Sequence, residues 1–233
     1  MRDNAEHIEQ EEHWVSVSDL MAGLMMVFLL VAIVFMVDAE IERNKVSEVA
    51  VLYDRLRTQL YEDLRVEFEP DLERWGAEVN PDLSIRFNRE SLIFGRGESE
   101  LSPAFEDILA EFFPRYMRII TSDKYRDDIA EVRIEGHTSS GWLGQTEDEA
   151  YILNMGLSQE RTRSTLAYVL NLSAVSSERE WLKEHMTANG LSSSKPVIAG
   201  DGEEDGERSR RVEFRLRTDA ESRIAAMLEE QDL

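Results

Sequence analysis

Residues 129–172 read IAEVRIEGHTSSGWLGQTEDEAYILNMGLSQERTRSTLAYVLNL, and the fold turns on how they are divided. IAEVRIEG (129–136) alternates apolar and charged side chains and stops at a glycine, the pattern of a strand with one face buried. A polar loop follows. LSQERTRSTLAYVLNL (157–172) has helical spacing, with Ser158 as the expected N-cap and its free backbone N–H groups available to an anion. Arg161 then falls in the first helical turn, where a cation opposes the helix dipole. That placement suggests an arginine held for a ligand carboxylate or for an internal acidic partner. His137 has no second histidine at metal-ligand spacing, since His185 stands alone on another expected helix, so a structural histidine is expected and no metal site. QTEDEA (145–150) lacks the glycine and alternating oxygens of a calcium loop and reads as solvated.

Working outward from this unit, EREWLKEHMTANG (178–190) predicts a helix closed by Gly190, KPVIAG (195–200) and RVEFRLR (211–217) predict strands, and the last residues predict a short helix or frayed tail. Before it, LSIRF (83–87) predicts a strand and SLIFG (91–95) a second short one. Ser102-Pro103 opens a helix through residue 120 that Pro114 should kink or interrupt. Between residues 38 and 70, Val49, Leu52, Leu56, Leu60 and Leu64 share one helix face. That face either covers the chain's own domain or pairs with a second copy, and the spacing leaves both open.

Residues 14–40, WVSVSDLMAGLMMVFLLVAIVFMVDAE, are of another kind. The 18 residues from Leu20 to Val37 carry no charge. At the helical rise they span roughly 27 Å, close to a bilayer's hydrocarbon core. The acidic arm before them and the length of the apolar run argue for a retained anchor over a cleaved signal peptide. Asp19 lies deeper than Trp14, the expected interfacial anchor. An aspartate there either caps the span or serves as a relay for protons or cations between helices, with Ala22 and Gly23 allowing a second helix to approach. Arg43, Lys45, Arg55 and Arg57 follow the span while only Arg2 precedes it within the arm, which weakly places the C-terminal side in the cytoplasm.

The chain has 233 residues, room for one anchor and a domain of about 150. Forty-eight acidic against 26 basic residues, a net charge of −22, argue against nucleic acid as a partner. With no cysteine, disulfides and thiolate metal sites are excluded. No nucleophile–base pair, phosphate loop or HExxH is present, so nothing points to an enzyme or to a cofactor. The expected fold class is α+β: one N-terminal transmembrane helix, a juxtamembrane helix, and an α/β sandwich with helices on a small mixed sheet. The expected divisions are an arm at 1–13, the span at 14–38, a helix or linker at 39–77, the domain at 78–218 and a tail at 219–233.

The blocks IEGHTSS, NMGLSQERT and RSRRVEF, in that order, resemble the OmpA-like peptidoglycan-binding domain, whose pattern runs GHTD, N-x-x-LS-x-x-R and NRRVE. Residues 18–35, SDLMAGLMMVFLLVAIVF, resemble the single span of flagellar stator B subunits. Together these features resemble the MotB-like stator family, and the wording SVSDLMAGLMMVFL is most like its branch in Zorya anti-phage defence. The resemblance implies that Asp19 carries protons, or sodium ions, in a channel beside a pentameric ZorA/MotA-like membrane subunit, with this chain a homodimer. It implies an inner-membrane protein with the arm cytoplasmic and the domain periplasmic, against the weak charge count. It implies contacts to the peptidoglycan stem peptide from Thr138, Ser139, Asn154, Leu157, Arg161 and Arg210, with Arg161 on the diaminopimelate carboxylate. Two departures stand out. Ser139 replaces the family aspartate that meets the ligand ammonium, and Ala22 replaces a threonine common in flagellar spans. A flagellar stator subunit and a static tether between membrane and wall are the alternatives.

Overall fold

The computed structural model describes residues 3–95 and 97–219, with the side chains of residues 3–19, 42, 44–50, 52, 53, 90 and 91 outside that description. The expected C-terminal helix or tail lies outside the described residues from position 220 onward. Two compact units are present, Met1–Leu52 and Tyr53–Leu233, and each is taken by itself.

The first unit lies on helix α1, Asp3–Trp75. Its apolar stretch Leu20–Ile41 is long enough to cross a membrane. Side chains such as Leu24, Phe28 and Phe35 are exposed along it, as a lipid-facing surface requires. Asp19 lies within α1, one residue before this stretch, and its side chain is outside the described residues.

In the second unit, α1 changes role. Leu60, Leu64 and Phe68 are fully buried in the domain core. For these turns the reading that the helix covers its own domain holds. A five-stranded mixed sheet receives them, built from β1 (Ala77–Val79), β2 (Ser84–Phe87), β3 (Ile129–His137), β4 (Met186–Gly190) and β5 (Arg211–Thr218). The order is β1-β2-β5-β3-β4, antiparallel except for β3 with β4. Helices α2 (Glu90–Ile93), α3 (Pro103–Ile120), α4 (Glu147–Asn171), α5 (Arg179–His185) and α6 (Gly206–Ser209) fill the connections. The α+β class and the helix-covered mixed sheet expected from the sequence are present.

One face of the sheet is apolar. Ile85, Phe87, Val132, Ile134, Val212 and Phe214 are buried on it. Phe112 of α3 sits 5.3 Å from Phe87 and 5.2 Å from Phe214, ring centroid to centroid. Helix α3 runs through Pro114, where a break was expected. Phe112, Phe113, Tyr116 and Met117 are all buried around the proline, and their packing outweighs the roughly 3 kcal/mol that an interior proline costs.

Four further expectations are corrected. Helix α4 begins at Glu147, not Ser158, because Thr146 caps it: its side chain accepts the Glu149 N–H, and the Glu149 carboxylate takes the Thr146 N–H at 3.0 Å. QTEDEA is therefore a capping box leading into a helix. MTANG (186–190) is strand β4 and not a helix end, since it pairs in register with Val132–Gly136. SLIFG lies on the short helix α2 and a single bridge from Phe94 to Leu101. KPVIAG forms no strand, only the isolated bridge Ile198–Glu204.

Candidate functional site

β3 and β4 run side by side and end on paired glycines, Gly136 and Gly190, and the chain turns there into two loops. Both glycines are needed for close approach. A Cβ on Gly190 would lie 2.3 Å from the backbone nitrogen of Gln159, and one on Gly136 would lie 2.9 Å from the Ser158 carbonyl oxygen. Helix α4 therefore packs directly over the strand ends, and it carries its polar buried side chains Asn154, Ser158, Arg161 and Thr162 into that contact. Ser158 accepts the Ser192 N–H at 3.1 Å and so holds the loop after β4 against the middle of the helix.

A cleft of about 880 Å³ opens beside this junction. Thr138, Ser139, Asn154, Leu157, Arg161 and Arg210 all line it, so the structure brings together every wall-contacting candidate of the sequence. Its remaining wall comes from Phe94, the glycines at 95, 97 and 141, and Trp142 with Leu143. None of these was singled out from the sequence. Only their common place in loops beside a strand end would have signalled them.

Arg161 is held in a defined pose. Its Nε donates to the Glu98 carbonyl at 2.9 Å, one terminal nitrogen donates to the Gly95 carbonyl at 3.3 Å, and the guanidinium lies 4.6 Å from the centre of the Phe94 ring. It is only 4 % exposed and sits in mid-helix, which removes the dipole argument made from the sequence. The loop opposite is tied down as well. Asn154 donates its amide to the Ser139 carbonyl at 3.0 Å, and Arg210 donates to Ser139 Oγ at 3.3 Å. Thr138 is buried, and its hydroxyl has no hydrogen-bond partner among the described residues.

The other face of the sheet carries a ladder of charges. Glu131, Arg133, Glu135 and His137 alternate along β3 and meet Arg217, Arg215, Glu213 and Arg211 of β5 in register. His137, Glu135 and Glu213 offer ligand-type atoms within 4.8 Å of one another, a cluster the sequence reading missed although the strand alternation and the antiparallel register encode it. The residues present do not favour a metal there. Arg211 and Arg86 already donate to Glu213 Oε1 at 2.6 and 2.9 Å, and Arg215 donates to Oε2 at 3.1 Å. A dication would add to guanidinium charge already matched to the acids. Burial disfavours the imidazolium of His137 more than the adjacent Glu135 favours it, and its pKa falls below the usual histidine value. The expected structural histidine is therefore neutral in a network of ion pairs.

No protein-family model matches the chain. It is 46 % identical over 224 residues to the Zorya protein ZorB of Escherichia coli, a match that covers 95 % of this chain and 94 % of that protein. Among solved structures, it resembles a MotB-like protein from Desulfovibrio vulgaris, with a TM-score of 0.52 and 22 % identity over 72 % of this chain and 98 % of that one. The cell wall anchor of the type VI secretion system from Pseudomonas aeruginosa is also similar, at a TM-score of 0.43 and 19 % identity, covering 66 % of this chain and 96 % of that one. At 22 % identity the first of these speaks to fold alone.

Proposed function

The chain belongs to the Zorya ZorB family, and from that premise we propose that it is the wall-anchored, ion-conducting subunit of an inner-membrane motor acting in anti-phage defence. Its arm is cytoplasmic and its domain periplasmic. It works as a homodimer inside a ring of five ZorA/MotA-like subunits, and it holds the peptidoglycan stem peptide in the cleft of the C-terminal domain.

Each part has a physical task. Asp19, at the leading edge of the apolar stretch, takes up and releases a proton or a sodium ion as it meets helices of the partner ring. Every elementary charge that crosses the membrane releases about 2.3 kcal/mol per 100 mV. That energy turns the ring only if its counterpart is held still. The cleft supplies the hold, with Arg161 on a ligand carboxylate and Thr138, Ser139, Asn154, Leu157 and Arg210 shaping the remainder.

The observation that carries this reading is the joining, in one chain, of an acidic residue directly ahead of a 22-residue apolar helical stretch with a cationic cleft on a separate compact unit. Asp19→Asn tests it. Phage protection should vanish while membrane insertion, co-purification with the partner subunit and binding to sacculi persist. Full protection by that variant would leave a static tether instead.

A further inference from the structure

The loop between β3 and α4 is fixed at both ends and clear of the domain in the middle. At its start, Asn154 donates to the Ser139 carbonyl, Arg210 donates to Ser139 Oγ, and the Glu204 carboxylate accepts the Ser140 backbone N–H. At its end, Thr146 is locked by its reciprocal bonds with Glu149. Between them stand Gly141, Trp142, Leu143 and Gly144, turned by a hydrogen bond from the Gln145 N–H to the Trp142 carbonyl at 3.2 Å. Gly144 has a φ of +80°, a left-handed conformation that a side chain would strain. A Cβ added to either glycine would meet no atom of the described residues within 4 Å.

This anchored tip presents two large apolar side chains, neither of which belongs to the hydrophobic core. Leu143 is 95 % exposed, Trp142 is half-buried, and both line the cleft alongside Thr138, Ser139 and Asn154. The apolar row continues on α4. Leu157 lines the cleft, and Leu153, one turn earlier on the same helix face, is exposed. A tryptophan and a leucine held at the mouth of a polar cleft suit a ligand surface that is apolar on its face and polar at its edge. A pyranose ring is such a surface, with C–H groups on its faces and hydroxyls around its rim.

We propose that Trp142 and Leu143 form a second subsite of the cleft, which takes an N-acetylated sugar of the glycan strand that carries the stem peptide. This rests on the wall-binding reading above and adds the sugar to the peptide as ligand. Only an alanine and a γ-linked glutamate separate the diamino acid from the muramic acid. At about 3.6 Å a residue, with the longer γ-linkage, sugar and diamino acid stand roughly 7 to 10 Å apart. A cleft of about 880 Å³ has room for both. The indole face packs on the ring C–H groups, and Leu143 packs on the acetamido methyl. Load then passes directly to the glycan, the continuous polymer of the wall, as well as to its peptide branch.

The test titrates the full chain in detergent with two ligands, L-Ala-γ-D-Glu-meso-diaminopimelate and the same tripeptide on N-acetylglucosaminyl-N-acetylmuramic acid. The disaccharide peptide should bind at least tenfold more tightly. Trp142→Ala should bring the two affinities within twofold of each other, while Trp142→Phe, which keeps a ring, should retain at least a threefold difference. Leu143→Ser alters a side chain that the fold does not bury, and it should reduce the difference at least threefold. A merely structural role for Trp142 would weaken both ligands alike and leave their ratio unchanged, which overturns the proposal. Equal affinity of the unaltered protein for the two ligands overturns it as well. Absence of binding to both overturns the wall-binding reading itself, a distinguishable result.

Discussion

Glu135 on β3 stands directly opposite Glu213 on β5, and both are almost completely buried, at 2 % and 1 % exposure. Like charges facing each other across a strand pair are destabilising, so something must offset them. Arg215 does so by reaching both carboxylates, at 3.4 Å from Glu135 and 3.1 Å from Glu213, while Arg211 and Arg86 close on Glu213 from the sides. This sheet face is therefore held by paired charge, where the opposite face is held by Phe87, Phe112 and Phe214.

Breaking that network from its centre should be costly. Glu213→Gln removes the negative charge that Arg211, Arg86 and Arg215 share and replaces one acceptor oxygen with an amide donor that faces them, and breaking such a buried charged group from one side costs about 3 to 5 kcal/mol. The thermal midpoint of the full chain in detergent should fall by roughly 10 °C. A fall smaller than about 2 °C would mean that the network contributes nothing net.

Acid should act on the same face. Burial alone would raise the Glu213 pKa, but the hydrogen bond from Arg211 and the surrounding positive charge outweigh it and bring the value down to about 2 from 4.5. A carboxylate with a depressed folded-state pKa contributes stability that is complete above its unfolded value and is lost as pH falls through the folded one. His137, held neutral by burial, adds a loss of the same sign that begins below its ordinary pKa, because the unfolded chain gains a proton the folded chain resists. Stability measured from pH 7 to pH 3 should therefore decline in two stages, and His137→Gln should remove the earlier one. A flat profile from pH 7 to pH 5 in the unaltered protein would contradict the histidine's part.

The junction of α4 with the strand ends admits no extra atom at Gly190. Gly190→Ala drives a methyl group into the backbone of Gln159, which cannot move without shifting the helix that carries Asn154 and Arg161. Overpacking of this kind costs about 1 to 3 kcal/mol or more. Gly200→Ala is the control, since nothing lies within 4 Å of its added carbon. Wall binding and thermal midpoint should both fall for the first substitution and neither for the second. Equal behaviour of the two would refute the close approach.

Strands β2, β3 and β5, the apolar anchor stretch and six of the residues lining the cleft (Thr138, Ser139, Asn154, Leu157, Arg161 and Arg210) were legible in the sequence because each rests on a local pattern or a short motif. What escaped was decided by tertiary contact. Ser158 has the chemistry of an N-cap, but Thr146 and Glu149 cap the helix three turns earlier, and Ser158 serves instead to hold Ser192. Gly190 reads as a helix terminator, while its real task is contact with α4, which no one-dimensional pattern records. Pro114 reads as a breaker and is overruled by the four buried side chains around it. The charge ladder was readable in principle from the alternation along β3 and β5, but only once their register was known.

Arg161 is held by contacts of the fold and is also the proposed contact for the ligand carboxylate, so its substitutions must be read in pairs. Arg161→Ala removes the bonds to the Glu98 and Gly95 carbonyls and the contact with the Phe94 ring. Retention on purified sacculi should fall at least tenfold, and the thermal midpoint should fall as well because the Glu98 and Gly95 carbonyls lose their donor from the buried arginine. Arg161→Lys separates the two effects. An ammonium keeps the charge and one carbonyl contact but cannot present the planar fork that a carboxylate and a second carbonyl share. The lysine variant should recover most of the stability and little of the retention. Recovery of both would reduce Arg161 to a point charge, and loss of stability with retention intact would move the ligand carboxylate from Arg161 to Arg210.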